Sequence, residues 1–209
     1  MNGKKILVEG SGRHIHVTAA DLAILCGDGF ELEVKRYLSQ PGEFASLTRL
    51  GVAGPRGTLK TVTVLGPYRG ATQVELSLTD ALSIGLTPPI RQSGDLAGSV
   101  GCTLIGPAGS LDLKEGVIVA KRHVHLTPHD AEAWGIKDNQ IIQVRIEGPQ
   151  MARPLIFDEV VARVSPNYTT CMHIDYDEMN AAGLPRGGIG EILVGSDYIT
   201  KAEEEEPEA

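Results

Sequence analysis

A duplicated motif constrains this chain more than any other feature. The segment RHIHVTAADLA, from Arg13, recurs 109 residues later as RHVHLTPHDAE, from Arg122, with Arg, both His, Thr and Asp in register. Downstream, ELSLTDALSIGL (Glu75 to Leu86) aligns with HIDYDEMNAAGL (His173 to Leu184) at an offset of 98. A chain whose halves share an order of parts is expected to fold as two similar units.

Each half opens with a short apolar run, Ile6 to Val8 or Val117 to Ala120, that reads as a strand leading into the His motif. A helix start follows: Thr18 and Thr127 stand three residues before Asp21 and Asp130, Pro128 suits a first helical position, and Gly27 and Gly135 mark helix ends. Strand-like runs at Thr61 to Leu65 and Gln73 to Leu78 alternate with turns at Gly54-Pro55-Arg56-Gly57, Gly66-Pro67 and Gly106-Pro107-Ala108-Gly109. The expected fold is therefore mainly β: two similar small β-barrel domains from the internal repeat, each capped by short α-helices. Pro88-Pro89 and Gly-rich loops cluster between 88 and 116, so the domains are placed at 1–95 and 96–200, with the first strand open to exchange between halves. The glutamate run at 203–206 cannot bury apolar area, and 201–209 reads as a disordered acidic tail. The run Gly187-Gly188-Ile189-Gly190 lacks the context of a nucleotide loop and reads as a turn.

A net charge of -8 without a basic stripe argues against nucleic acid as a partner, while a small anion remains suitable if arginines are focused in one cleft. No apolar stretch is long enough to span a bilayer, and three scattered cysteines without C-x-x-C spacing suggest neither a disulfide framework nor a zinc ribbon. The cytoplasm is the expected location.

The spacing of the histidines carries the chemistry. Residues i and i+2 share one face of a strand but diverge around a helix, so His14 with His16, and His123 with His125, are two candidate chelating pairs. One such pair is weak evidence; two in register, using four of only six histidines, are hard to treat as accident. The second alignment nominates third ligands, since Glu75 corresponds to His173. The resulting triads, His14-His16-Glu75 and His123-His125-His173, would each leave room for solvent or substrate, the mark of a catalytic rather than a closed structural site. Arg13 and Arg122 alternate away from the metal face and read as structural ion-pair partners. Arg69, beside a turn and six residues before Glu75, is the better anion candidate, although an exposed turn charge explains it equally well. Cys171 shares the strand face of His173 and reads as buried filler more than as a ligand; His129, unmatched in the first half, reads as a surface residue.

These segments, together with LSQPGEFA, VLGPYRGATQVELSLTDA, PPIRQSGDL and CMHIDYDEMNAAG, resemble the PduL-type phosphotransacylases, or phosphate propanoyltransferases. The resemblance runs from about residue 11 to 183. It implies interconversion of a short-chain acyl-CoA, propanoyl or acetyl, plus phosphate with acyl phosphate plus CoA, using two divalent ions, usually zinc, between two β-barrels. It carries metal ligation to His14, His16, Glu75, His123, His125 and His173, phosphate binding to Arg69, and CoA or active-site contacts to Ser11 and Asn180. It is compatible with a homodimer and with a bacterial microcompartment. Only Met1 to Glu9 precede Gly10, however, and that stretch reads as a strand rather than the amphipathic extension of microcompartment-resident members.

Two alternatives compete with this reading, and two more are disfavoured. A binuclear metallohydrolase of phosphate or acyl esters would place water at the same open positions. A non-catalytic, metal-stabilised β-domain would unfold on chelation. A cupin lacks its usual glutamate after H-x-H here, and an amidohydrolase barrel typically needs about 250 residues.

Overall fold

The computed structural model describes residues 4–146, 153–184 and 187–194; the acidic tail inferred at 201–209 lies outside them. In chain order the elements are β1 (Lys5–Gly10), β2 (His14–His16), α1 (Ala19–Cys26), β3 (Val34–Tyr37), β4 (Phe44–Gly54), β5 (Gly57–Gly66), β6 (Gln73–Glu75), α2 (Leu78–Ser83), β7 (Ile90–Arg91), β8 (Val100–Ile105), β9 (Ser110–Ala120), β10 (His123–Leu126), α3 (Pro128–Trp134), β11 (Ile141–Ile146), β12 (Leu155–Val164), β13 (Cys171–Ile174), α4 (Tyr176–Ala182) and β14 (Gly188–Leu193).

The strands close two six-membered rings, as the alternation of short strands and tight turns leads one to expect. In the first, the order β2-β6-β9-β8-β4-β5 returns to β2, with β3 and β7 attached outside at β4 and β9. The second runs β1-β13-β10-β12-β11-β14 and closes on β1. The motif strands are set alike: β2 lies between parallel β5 and antiparallel β6, and β10 between parallel β12 and antiparallel β13. Each ring encloses its own apolar core. Ile15, Val52, Val64, Val74 and Leu104 fill the first, and Val8, Val124, Ile142, Val144 and Met172 the second.

Strand membership departs from the division at 95/96. Strands β8 and β9 lie beyond that cut and complete the first ring, while β1 lies before it and completes the second. The Pro and Gly loops of 88 to 116 resemble a linker in composition, but ring closure is a long-range demand. The far end of β9 supplies the neighbour that β6 needs, pairing Val74 with Val117. In β1 the apolar side chains Ile6 and Val8 alternate inward and join the second core.

The Gly187-Gly188-Ile189-Gly190 run is corrected from turn to strand, since most of it opens β14 and pairs with β1. Glycine is required there by close packing: a Cβ on Gly190 would sit 2.7 Å from Val144 Cγ1 and 3.0 Å from Val8 Cγ2. Strandlike backbone with no side chain reads as a turn by composition alone.

The helix caps follow the sequence. Thr18 and Thr127 accept from the backbone N–H of Asp21 (3.0 Å) and Asp130 (3.1 Å), and Pro128 stands in the first turn of α3. A second hydroxyl ties each cap to the ring: the Thr18 N–H donates to Thr72 Oγ1 (3.1 Å) and the Thr127 N–H to Thr170 Oγ1 (3.2 Å). Thr72 and Thr170 in turn donate to Asp21 and Asp130.

Candidate active site

Strand register, set by the two rings, assembles both triads. On β2 the apolar Ile15 points into the first core while His14 and His16 point outward, and antiparallel pairing places His14 directly opposite Glu75. On β10, Val124 points inward and His123 stands opposite His173. In each triad the potential ligand atoms lie within 4.8 Å of one another.

Hydrogen bonding fixes which nitrogens converge. A carbonyl oxygen can only accept, so His14 must donate from Nδ1 to Gly12 O (2.7 Å), and His123 from Nδ1 to Lys121 O (2.8 Å). In the neutral ring Nε2 is then a lone pair. That of His14 faces the carboxylate oxygen Oε2 of Glu75 at 3.4 Å, and that of His123 faces Nε2 of His125 at 3.0 Å. Among the described residues, the buried side-chain polar atoms without a hydrogen-bond partner are Nδ1 of His16 and Nδ1 of His125, at matching places in the two motifs. Three clustered nitrogen and carboxylate ligand atoms in each triad, with the neutral His14 ring setting a lone pair against a carboxylate, form donor sets that could hold a cation. Imidazole and carboxylate suit zinc or a similar divalent ion, so the residues fit such an ion at both triads.

Without an ion, the electrostatics divide the six groups: three imidazoles are held neutral, while His14 and His173 are drawn toward the protonated form by neighbouring acidic groups that an ion would replace. Burial, reinforced by the neighbouring ring of the same motif, pushes His16 and His125 down to about 2 and keeps both neutral. Burial also draws His123 down to about 4 against the opposing pull of the Lys121 carbonyl. Burial opposes the charged forms of His14 and Glu75, yet their mutual attraction and contact raise the imidazole and hold the carboxyl well below the usual carboxylate range. His173 is raised to about 9 despite burial, through contacts with Cys171 and Glu9.

Both triads open on one cleft of about 920 Å³ between the rings. Arg69 lines it and is held at two points, donating from Nη1 to Ser93 Oγ and from Nη2 to Glu43 Oε1, each at 3.0 Å. Three of the five guanidinium N–H groups stay available for an anion. Its positive charge helps to depress His16, which places it beside the first triad. Arg36, Arg49 and Arg163 add positive charge to the walls of an otherwise acidic chain. Ser11 lines the cleft. Asn180 lies exposed on α4 and is not part of the lining, although its neighbour Met179 is.

Arg13 and Arg122 make the expected ion pairs, with Asp80 (2.7 Å) and Glu178 (2.8 Å), tying each motif to the helix after its third residue. His129 is exposed. Ser93, which spacing did not single out, also enters the cleft wall, and buried Gln73 stands behind it. Gln73 donates to Glu75 and to Ser93 Oγ (2.9 Å), and accepts from the Gly94 N–H (2.8 Å), so Glu75 is braced from behind. Its position two residues from Glu75 on the same strand face was the available signal.

Comparison with known proteins gives a consistent result. A family model described as phosphate propanoyltransferase matches residues 7–185. The chain is 48% identical over 186 residues to the phosphate propanoyltransferase of Listeria monocytogenes, covering 89% of this chain and 86% of the relative. It is 46% identical over 188 residues to that of Thermotoga maritima, covering 90% and 89%. With that of Shewanella putrefaciens it shares 50% over 177 residues, covering 85% and 82%.

Proposed function

The chain belongs to the phosphate propanoyltransferase family and is a phosphate acyltransferase, and from that premise we propose that the cleft between its rings exchanges a short-chain acyl group between CoA and inorganic phosphate with the help of two divalent ions. The observation that carries the proposal is the opening of two three-residue donor sets and the Arg69 guanidinium on one cleft.

In this reading His14, His16 and Glu75 hold one ion and His123, His125 and His173 the other. When bound, such ions supply Lewis acidity toward a carbonyl or phosphoryl oxygen and stabilise a thiolate. Arg69 donates its free N–H groups to a phosphate oxygen pair, braced by Glu43 and Ser93, and turns a third oxygen toward the thioester carbonyl carbon. The new C–O bond forms as the C–S bond breaks; CoA leaves as thiolate and the acyl group leaves as acyl phosphate. The carbonyls of Gly12 and Lys121 keep His14 and His123 in the tautomer that presents Nε2 to the cleft. Ser11 and Asn180 are assigned to CoA, Ser11 within the cleft and Asn180 beside its Met179 wall. Acetyl and propanoyl groups differ by one methylene, worth only about 1–3 kcal/mol of discrimination in a pocket, so either is a suitable substrate.

The test is to deplete the protein with a chelator and follow acyl-CoA formation from acetyl or propanoyl phosphate and CoA, alongside circular dichroism. The proposal expects turnover to vanish with the fold intact and to return with zinc. Undiminished turnover in metal-depleted protein would refute it; phosphate release without CoA would point instead to a hydrolase.

A further inference from the structure

The wall behind the second triad holds a group that the reading above leaves unused. Strand β1, crossing into the second ring, runs parallel to β13 with Glu9 opposite His173, while Cys171 precedes His173 by two residues and shares its strand face. Glu9 Oε2 and Cys171 Sγ each lie 3.4 Å from His173 Nε2, and the three potential ligand atoms fall within 4.8 Å of one another. The segment between β3 and β4 braces this group. Ser39 donates to Glu9, and buried Gln40 donates its amide N–H to Cys171 Sγ at 3.1 Å. Gln40 is itself clamped to the backbone of Thr169, donating to its carbonyl at 2.9 Å and accepting from its N–H at 3.2 Å. A buried amide aimed at a sulfur sets that sulfur as an acceptor. Sequence spacing alone makes Cys171 filler, because neither Glu9 nor Gln40 is near it in the chain.

We propose that Glu9, Cys171 and His173 form a second, thiolate-containing position for a divalent metal ion, sharing the His173 ring with the His123-His125-His173 triad. Carboxylate, thiolate and imidazole together neutralise a divalent charge and select a borderline or soft ion, zinc or cadmium, over magnesium or calcium. Because the ring is shared, an ion in the second ring has a nitrogen-rich and a sulfur-containing set of donors side by side. The inference rests on the metal-dependent reading only through His173, and its test needs no turnover.

The test uses the full chain freed of CoA, whose own thiol would otherwise supply sulfur. Zinc-loaded protein is measured by X-ray absorption, and cadmium is titrated while the near-ultraviolet thiolate-to-cadmium band is followed. The expected result is a sulfur neighbour at about 2.3 Å from zinc. The cadmium band should persist in a Cys26→Ser/Cys102→Ala variant, which leaves Cys171 as the sole thiol, and disappear in Cys171→Ser. Glu9→Gln should weaken cadmium binding by at least about tenfold. Zinc bound through nitrogen and oxygen alone, or a band that survives Cys171→Ser, would overturn this site and leave the two triads standing. Failure to bind any ion would overturn both. The wild-type X-ray measurement decides the matter even if Cys171→Ser does not fold.

Discussion

Arg69→Ala separates a binding role from a structural one, because the structure assigns the two very different magnitudes. On the structural side, the side chain loses one half-exposed ion pair with Glu43 and one hydrogen bond to Ser93. The first is worth ~0–1 kcal/mol and the second about 1 kcal/mol. Ser93 keeps its bond from Gln73 at 2.9 Å, so no polar group is stranded there. A total near 1 kcal/mol lowers the melting temperature of a chain this size by only about 2–4 °C. On the binding side, two charge-assisted hydrogen bonds to phosphate at ~1.5–3 kcal/mol each amount to about 3–6 kcal/mol, a fall of roughly 10²–10⁴ in kcat/KM. Glu43, left without its counter-charge in the cleft, pushes in the same direction.

The assay is initial-rate acyl phosphate formation at varied phosphate, run beside thermal unfolding of the same preparation. Arg69→Lys keeps the charge but loses the planar fork, so its rate should fall between the two. A loss smaller than about tenfold, or ~1.4 kcal/mol, in the alanine variant would refute the assignment of phosphate to Arg69. A collapse of the melting temperature would refute the division into small structural and large binding effects.

Other consequences can be checked by denaturation. Leu104→Ala empties a fully buried place in the first core and should cost ~2–5 kcal/mol in urea unfolding, with turnover per folded molecule retained. Gly101→Ala would set a Cβ 2.1 Å from the Leu113 carbonyl oxygen; the backbone shift should cost about 1–3 kcal/mol or more, whereas an unchanged urea midpoint would show that β8 yields freely. Thr170→Val removes the hydroxyl that is the chief cause of the lowered Asp130 pKa, at ~1–2 kcal/mol near pH 7. A depressed carboxyl contributes stability above its unfolded pKa of about 3.9 that is lost as pH falls through the folded value, so the wild-type advantage should shrink on acidification. An advantage constant with pH would exclude Asp130 as its source.

The parts of the site that could be read from sequence were those governed by local geometry. The two-residue strand period put the histidines of each motif on one face, and alignment of the halves found Glu75 and His173, which register then placed opposite His14 and His123. The cap residues were legible for the same reason. What escaped depends on which strand closes which ring. Glu9 reaches His173, 164 residues away in the chain, only because β1 joins the second ring. Ser93 meets Arg69 and Gln73 across loops that looked like linker. Spacing gives no access to such contacts, because ring closure is decided by the burial of whole strand faces.

The placement of the motifs also has a physical cause in how the chain passes between rings. It crosses at Ser11-Gly12-Arg13, from β1 of the second ring to β2 of the first, and at Lys121-Arg122, from β9 of the first ring to β10 of the second. Each H-x-H strand therefore begins where the chain has just changed rings, at the edge of the cleft. Each crossing also supplies the carbonyl, from Gly12 or Lys121, that holds Nδ1 of the following histidine and turns its Nε2 inward. The crossing arginine, Arg13 or Arg122, is pinned by a carboxylate on the helix after the third triad residue. At the first crossing a Cβ on residue 12 would lie 2.6 Å from the Tyr176 ring, so glycine lets the crossing press against α4 of the opposite ring. The Arg-His-x-His motif thus joins two tasks in adjacent residues: fastening a crossing, and aiming a nitrogen into the cleft that the crossing creates.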